Sequence, residues 1–256
     1  MKIQQVAVQI YTLRNHLTTQ SDIVATLKRV RAIGYQAVEL ISLSSVTDVE
    51  LKRIVADEGL LCCSAHDSSD NIRQNPGAVA DRLDALGCQH VVCSYPSNVD
   101  LGSEASVNSF IEDLDSAGKV LADRGKTLCY HNHGMEFRHL NGRSILELIY
   151  EKITPRHLQA ELDTYWVQYG GGDPVDWCSR LKGRLPLLHI KDYGFSPGNT
   201  PCFAEIGNGN LRWPEILAAA EAAGCGWFIV EQDTCPGDPF DSLTQSFDYI
   251  QAKLVQ

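Results

Sequence analysis

The chain has 256 residues, 44% of them hydrophobic and 21% charged, and a formal net charge of −10. That length accommodates one (β/α)8 barrel or two smaller domains, and it buries a core without disulfide or metal staples. The acidic balance opposes a nucleic-acid partner, which needs a basic footprint, and no apolar run reaches the roughly 20 residues that span a bilayer.

Residues 1–16, MKIQQVAVQIYTLRNH, alternate apolar and polar side chains. They have no long apolar core and no small-residue cleavage site, so they read as a strand and not as a signal peptide. From there, short β-branched runs alternate with amphipathic segments. In chain order the pattern predicts strand 3–10, helix 23–33, strand 37–40, helix 49–58, strand 60–65, helix 76–86, strand 90–94 and helix 106–124. It continues with strand 127–130, helix 144–152, strand 158–162, helix 174–181, strand 187–190, helix 214–223, strand 227–230 and helix 243–254. Gly34, Gly59, Gly87, Gly125, Gly183 and Gly224 follow or close helices, and Pro76, Pro174 and Pro214 fall in first turns. Eight such units predict one (β/α)8 barrel domain over residues 1–256. An open doubly wound sheet would carry a glycine-rich loop after its first strand, and Val8-Gln9-Ile10-Tyr11-Thr12 is unlike GxGxxG. The nine cysteines form no CxxC pair, and Cys62, Cys93 and Cys129 sit in apolar stretches. Reduced thiols in a cytoplasmic protein are expected.

Barrel enzymes carry their chemistry where strands end and βα loops begin. Polar residues collect at those points: Gln9, Tyr11, Glu39, His66, His131, His133, Asp163, His189 and Glu231. Strand ends converge on one mouth, and carboxylates crowded there repel unless a cation lies between them. Glu136, Asp163, His189 and Glu231 would give three oxygen donors and one imidazole. That mixture suits one Mn²⁺, Mg²⁺ or Co²⁺ ion better than a thiolate-preferring structural zinc, with Zn²⁺ in a mixed site left open.

Several segments resemble the xylose-isomerase-like barrels, and within them the sugar phosphate isomerase/epimerase group. They are Tyr130-His131-Asn132-His133-Gly134-Met135-Glu136-Phe137, Asp163-Thr164-Tyr165-Trp166, His189-Ile190-Lys191-Asp192 and Val230-Glu231-Gln232-Asp233. Val8 to Leu13 and Glu205-Ile206-Gly207-Asn208-Gly209 also fit, so the resemblance covers nearly the whole chain. It implies a metal held by Glu, Asp, His and Glu from the last four strands, onto which Asp163, His189 and Glu231 map directly. The family's first glutamate lies within the fifth strand, where this chain has His131 or His133. Glu136, just beyond, is taken as the ligand, with a histidine as the alternative.

The chemistry expected of such a site is polarisation of a carbonyl on a sugar, keto-sugar or keto-inositol, with removal of the neighbouring proton to form an enediolate. Glu231 and Glu136 are the candidate acid and base, and His133 is a second proton handler. Isomerisation or epimerisation follows from where the proton returns, and a lyase or dehydratase follows if a β-hydroxyl leaves. Glu39, His66 and His131 are expected to contact substrate hydroxyls, with Glu39 alternatively capping the next helix. Trp166 and Tyr11 would form an apolar wall. Lys191 follows His189 on the same strand and is expected to point away from it unless the strand end twists; it is a candidate to bind substrate, or else a structural partner of an acidic neighbour. Residues 193–212 read as a long loop without secondary structure, a lid carrying Glu205. Phosphodiester hydrolysis would need more ligands and a basic track. A non-catalytic barrel would have no reason to keep the ligand set. A small carbohydrate or polyol is the expected partner, with no membrane or nucleic acid and with a homo-oligomer left open.

Overall fold

Eight parallel strands close on themselves in the computed structural model, which describes residues 1–255. They are β1 (Val6–Gln9), β2 (Ala37–Leu40), β3 (Leu61–Asp67), β4 (His90–Cys93), β5 (Thr127–His131), β6 (Gln159–Asp163), β7 (Leu187–Ile190) and β8 (Trp227–Val230). Each pairs with its neighbour in sequence, and β8 returns to β1 through Val6 opposite Phe228 and Val8 opposite Val230. The result is the (β/α)8 barrel that the alternation predicts, not an open sheet.

Strand side chains alternate between two cores. Val6, Val8, Val38, Leu40, Leu128, Tyr130, Leu188 and Ile190 join the large core shared with the surrounding helices. Ala7, Ala37, Cys63, Val92, Cys129, Leu187 and Ile229 form a separate cluster that plugs the barrel. Two positions further along β1, β2, β5, β7 and β8, on the same side, the residues turn polar yet stay buried, as Gln9, Glu39, His131, His189 and Glu231, and Glu161 joins them from β6. The period-two rule thus stacks a polar floor on an apolar plug. At β3 the pairing with β2 slips by one residue, so Val38 faces Cys62 while Glu39 faces Ser64. This bulge aims Ser64 at Glu39 and swings His66 over the floor.

Helix starts follow local chemistry. Thr19, Thr47 and Ser144 form capping boxes with Asp22, Glu50 and Glu147, and proline stands in the first turn at Pro76, Pro174 and Pro239. Gly34 ends the first long helix at φ 128°, and a Cβ there would overlap the Phe247 ring. All nine cysteines are free, with Cys93 and Cys129 buried and Cys62 half-buried. No helix among the described residues is long and apolar enough to cross a membrane.

The structure corrects several expected elements. Residues Ile3–Gln5 form a 3-10 turn, so β1 is shorter than predicted. Ser69–Gln74 and Thr164–Tyr169 are helices too short to show a period in the sequence. The last helix begins at Pro239, not at 243, and passes into a π turn over Ile250–Leu254. The expected loop at 193–212 contains an antiparallel hairpin, Asp192–Phe195 with Pro201–Ala204. Asp192 ties its far side down, accepting hydrogen bonds from the backbone N–H groups of Gly207, Gly209 and Leu211 and from the Trp213 indole.

Candidate metal centre and substrate cavity

The polar interior has two levels. In the lower one, Glu39 and Glu161 are fully buried beneath His66, His131 and His189. Glu39 accepts hydrogen bonds from Gln9 Nε2 at 2.7 Å and from Ser64 Oγ. Its Oε2 lies 2.6 Å from His189 Nε2 and 3.0 Å from His66 Nε2. Glu161 Oε2 is a hub, 3.0 Å from His131 Nδ1, 3.1 Å from His66 Nε2 and 3.2 Å from His189 Nε2.

In the upper level, Asp163, Glu231 and Asp233 surround the Lys191 ammonium at 3.0, 2.6 and 3.1 Å. Two of the three imidazoles, His131 and His189, reach this level with their other nitrogens. His131 Nε2 is 3.7 Å from Asp163 Oδ2, and His189 Nδ1 is 3.1 Å from Glu231 Oε2 and 3.9 Å from Asp163 Oδ2. Asp163 is positioned by the turn that follows it: as N-cap of the short helix, its Oδ1 accepts from Trp166 N at 3.0 Å. Oδ2 is buried and accepts no hydrogen bond, with the Lys191 ammonium beside it only as an ion pair.

One donor atom each from His131, Asp163, His189 and Glu231 lie within 4.8 Å of one another, as do those of His66, His131, Glu161 and His189. Two imidazoles and two carboxylates, one with a buried oxygen that accepts no hydrogen bond, are a donor set that fits a borderline divalent ion. His131 and Glu231 of the upper set line a cavity of about 720 Å³ together with Tyr11, His133, Trp166, Phe203 and Asp233, among others, while Asp163 and His189 do not. Glu39 and Glu161 are not among its lining residues.

The electrostatics follow from burial and charge. Burial alone would raise Glu39, but His66 and His189 hold it well below the usual carboxylate range. Burial and then the Glu39 charge push Glu161 up to about 8, and a cation in the upper level would favour its ionised form. Burial opposes charge on Lys191, yet Asp163 and Glu231 raise it well above its ordinary value. Lys191 in turn overcomes burial to hold Glu231 low. Burial and the Glu231 charge move Asp233 up to about 6, and burial followed by Lys191 lowers His133 to about 4.

The sequence-derived site is only partly brought together. Asp163, His189 and Glu231 converge, but their fourth neighbour is His131. Glu136 stands apart: its Oε1 accepts from the Tyr130 hydroxyl and its Oε2 from His133 N, both at 2.8 Å. Glu39 caps no helix, since Thr47 caps the next one, and it lies in the floor with His66 above it. Lys191 does not point away from His189: residues two apart on a strand share a face, and both side chains enter the barrel. Glu205 accepts from Ser242 Oγ at 2.7 Å and is not among the residues lining the cavity. His133, Trp166 and Tyr11 do line it. Glu161 and Asp233 were missed, although each sits two residues from a recognised site residue, where alternation alone would have found it.

A parallel barrel with buried carboxylates and imidazoles at the C-terminal ends of its strands places them where barrel enzymes carry their chemistry. The chain belongs to the xylose isomerase-like TIM barrel family, whose model matches residues 27–253. Its fold is similar to that of a sugar phosphate isomerase/epimerase from Parabacteroides distasonis, with a TM-score of 0.85 and 23% identity over 99% of this chain and 96% of that one. It is also similar to the structure of an L-ribulose 3-epimerase, with a TM-score of 0.74 and 15% identity over 98% and 94% of the two chains. In sequence it is 23% identical over 166 residues to an inosose dehydratase of Geobacillus thermodenitrificans, covering 58% of this chain and 55% of the dehydratase. The chain thus spans about half the length of that relative.

Proposed function

We propose that the protein is a divalent-metal-dependent isomerase or epimerase of a small sugar, keto-sugar or keto-inositol, with the ion held by His131, Asp163, His189 and Glu231. The observation that carries this reading is the convergence of those four donors within 4.8 Å, with His131 and Glu231 lining an open cavity. Mn²⁺ suits the set best, and Mg²⁺, Co²⁺ and Zn²⁺ remain compatible with it. When bound, the ion supplies Lewis acidity toward a substrate carbonyl and its neighbouring hydroxyl.

The protein's own groups handle the proton. Glu231 is held ionised by Lys191, so it can accept the proton next to the carbonyl, and Asp233, two residues on and facing the cavity, is placed to relay it. His133 presents a buried Nδ1 without a hydrogen-bond partner, as does the Trp166 indole N–H, and both border the cavity. These groups can contact substrate oxygens that replace water. Lys191 keeps the carboxylate trio from repelling itself apart and offers positive charge to a developing enediolate. Glu136 has no part in this reading, because both its oxygens are engaged in holding the turn that carries His133.

The second reading is dehydration, favoured by the similarity to an inosose dehydratase. It shares the proton abstraction and differs in expelling a β-hydroxyl. Purified protein stripped by chelator and reloaded with Mn²⁺ should bind about one ion per chain by calorimetry. It should then exchange the proton beside the carbonyl of a suitable ketose or keto-inositol in D₂O. Loss of water from the product, read by mass spectrometry, would select the dehydratase. No metal uptake at saturation would end both readings.

A further inference from the structure

Two donor groups overlap in the barrel, and His131 and His189 belong to both. Each ring spans the two levels. His131 directs Nδ1 down at Glu161 Oε2, 3.0 Å away, and Nε2 up toward Asp163 Oδ2. His189 is turned the other way, with Nε2 down at Glu39 Oε2, 2.6 Å away, and Nδ1 up toward Glu231 Oε2 and Asp163 Oδ2. A neutral imidazole has one N–H and one lone pair, so only one level can receive a lone pair from a given ring.

The surroundings decide between the levels. The lower carboxylates lie on the apolar plug, fully buried, and Glu39 already accepts from Gln9 and Ser64. No substrate reaches them. Above them, Glu231 and Asp233 line the cavity, and the buried Asp163 Oδ2 faces the Lys191 ammonium at 3.0 Å without a hydrogen bond. An ion at the upper level would lie beside Glu231 and Asp233, which line the cavity, whereas neither lower carboxylate lines it.

We infer that Glu161 and Glu39 are positioning residues: Glu161 accepts the Nδ1–H of His131 and Glu39 the Nε2–H of His189, which fixes opposite tautomers and turns the Nε2 lone pair of His131 and the Nδ1 lone pair of His189 to the metal. This rests on the metal reading above and deepens it. Carboxylates behind ligating histidines are a recurring device, and their loss commonly lowers metal affinity about 10–100-fold. His66, bridging both carboxylates, holds their separation and is not itself required as a ligand.

The test uses Zn²⁺, which is diamagnetic, and protein with ¹⁵N-labelled histidine. Zinc-loaded wild type should show metal-bound Nε2 and protonated Nδ1 for His131, and the reverse for His189. By calorimetry, Glu161→Leu should bind Zn²⁺ about 10–100-fold more weakly. Glu161→Gln, whose amide oxygen still accepts, should recover most of that loss. A spectrum placing zinc on Nδ1 of His131, or wild-type affinity in Glu161→Leu, would overturn the inference. If Glu161→Leu does not fold, the wild-type spectrum alone decides. Wild type that binds no zinc, manganese or cobalt would instead overturn the metal reading itself.

Discussion

Replacing Lys191 by methionine removes one buried cation from the centre of three carboxylates while keeping most of the side-chain volume. The ammonium lies 2.6 Å from Glu231, 3.0 Å from Asp163 and 3.1 Å from Asp233, and the lysine is 1% exposed. Removing one partner of a buried ion pair typically costs about 3–5 kcal/mol, because it leaves charge buried without compensation. For a chain of this size each kcal/mol moves the melting temperature by about 2–4 °C, so metal-free Lys191→Met should melt about 6–20 °C below wild type. A divalent ion supplies the missing positive charge, so the variant should regain more stability from metal than wild type does. At a fixed Mn²⁺ concentration about 100 times the wild-type Kd, wild type gains about 2.7 kcal/mol, and the variant gains more by the affinity it acquires once Lys191 no longer competes for Asp163 and Glu231. The assay is thermal unfolding by circular dichroism with chelator and with graded Mn²⁺. If metal-free Lys191→Met melts with wild type, or Mn²⁺ stabilises both equally, the ammonium does not neutralise these carboxylates as described.

Glu136→Gln should leave Mn²⁺ affinity within about twofold and instead cost about 1–3 kcal/mol in urea unfolding, since it disturbs the acceptors of Tyr130 and His133; a large loss of metal affinity would restore Glu136 as a ligand. Asp163→Asn should abolish detectable Mn²⁺ binding in calorimetry while the barrel's circular dichroism is retained. His133→Ala should bind Mn²⁺ like wild type yet lose about 10²–10⁴-fold in turnover, measured under metal saturation, if it handles a proton. Gly118→Ala tests the fold alone: a Cβ there would overlap the His157 carbonyl oxygen, and overpacking of this kind should lower stability by about 1–3 kcal/mol without changing metal binding.

Alternation of strands and helices, helix-closing glycines and first-turn prolines are local properties, so the sequence by itself determined the eight β/α units and the end of the barrel where chemistry belongs. Asp163, His189 and Glu231 were legible as a group because each stands at or beside the end of one of three consecutive strands. The period-two rule contained more than was first drawn from it. Applied strictly, it places Glu161 with Asp163, Lys191 with His189 and Asp233 with Glu231 on the inner face.

Tertiary structure alone decided how these groups meet. Glu39 and His189 touch at 2.6 Å across 150 residues of sequence, a contact that exists only because the sheet closes. The choice between Glu136 and His131 is of the same kind. His131 ends β5 on the inner face, while Glu136, five residues on, is drawn back by the His133 N–H and the Tyr130 hydroxyl. Spacing along the chain ranks both as candidates, and only the path of the turn shows which reaches Asp163. The division of the interior into a sealed carboxylate floor and a level above it where carboxylates surround Lys191 depends on where each strand ends relative to its neighbours. That stagger is a property of the closed barrel and of no single segment in it.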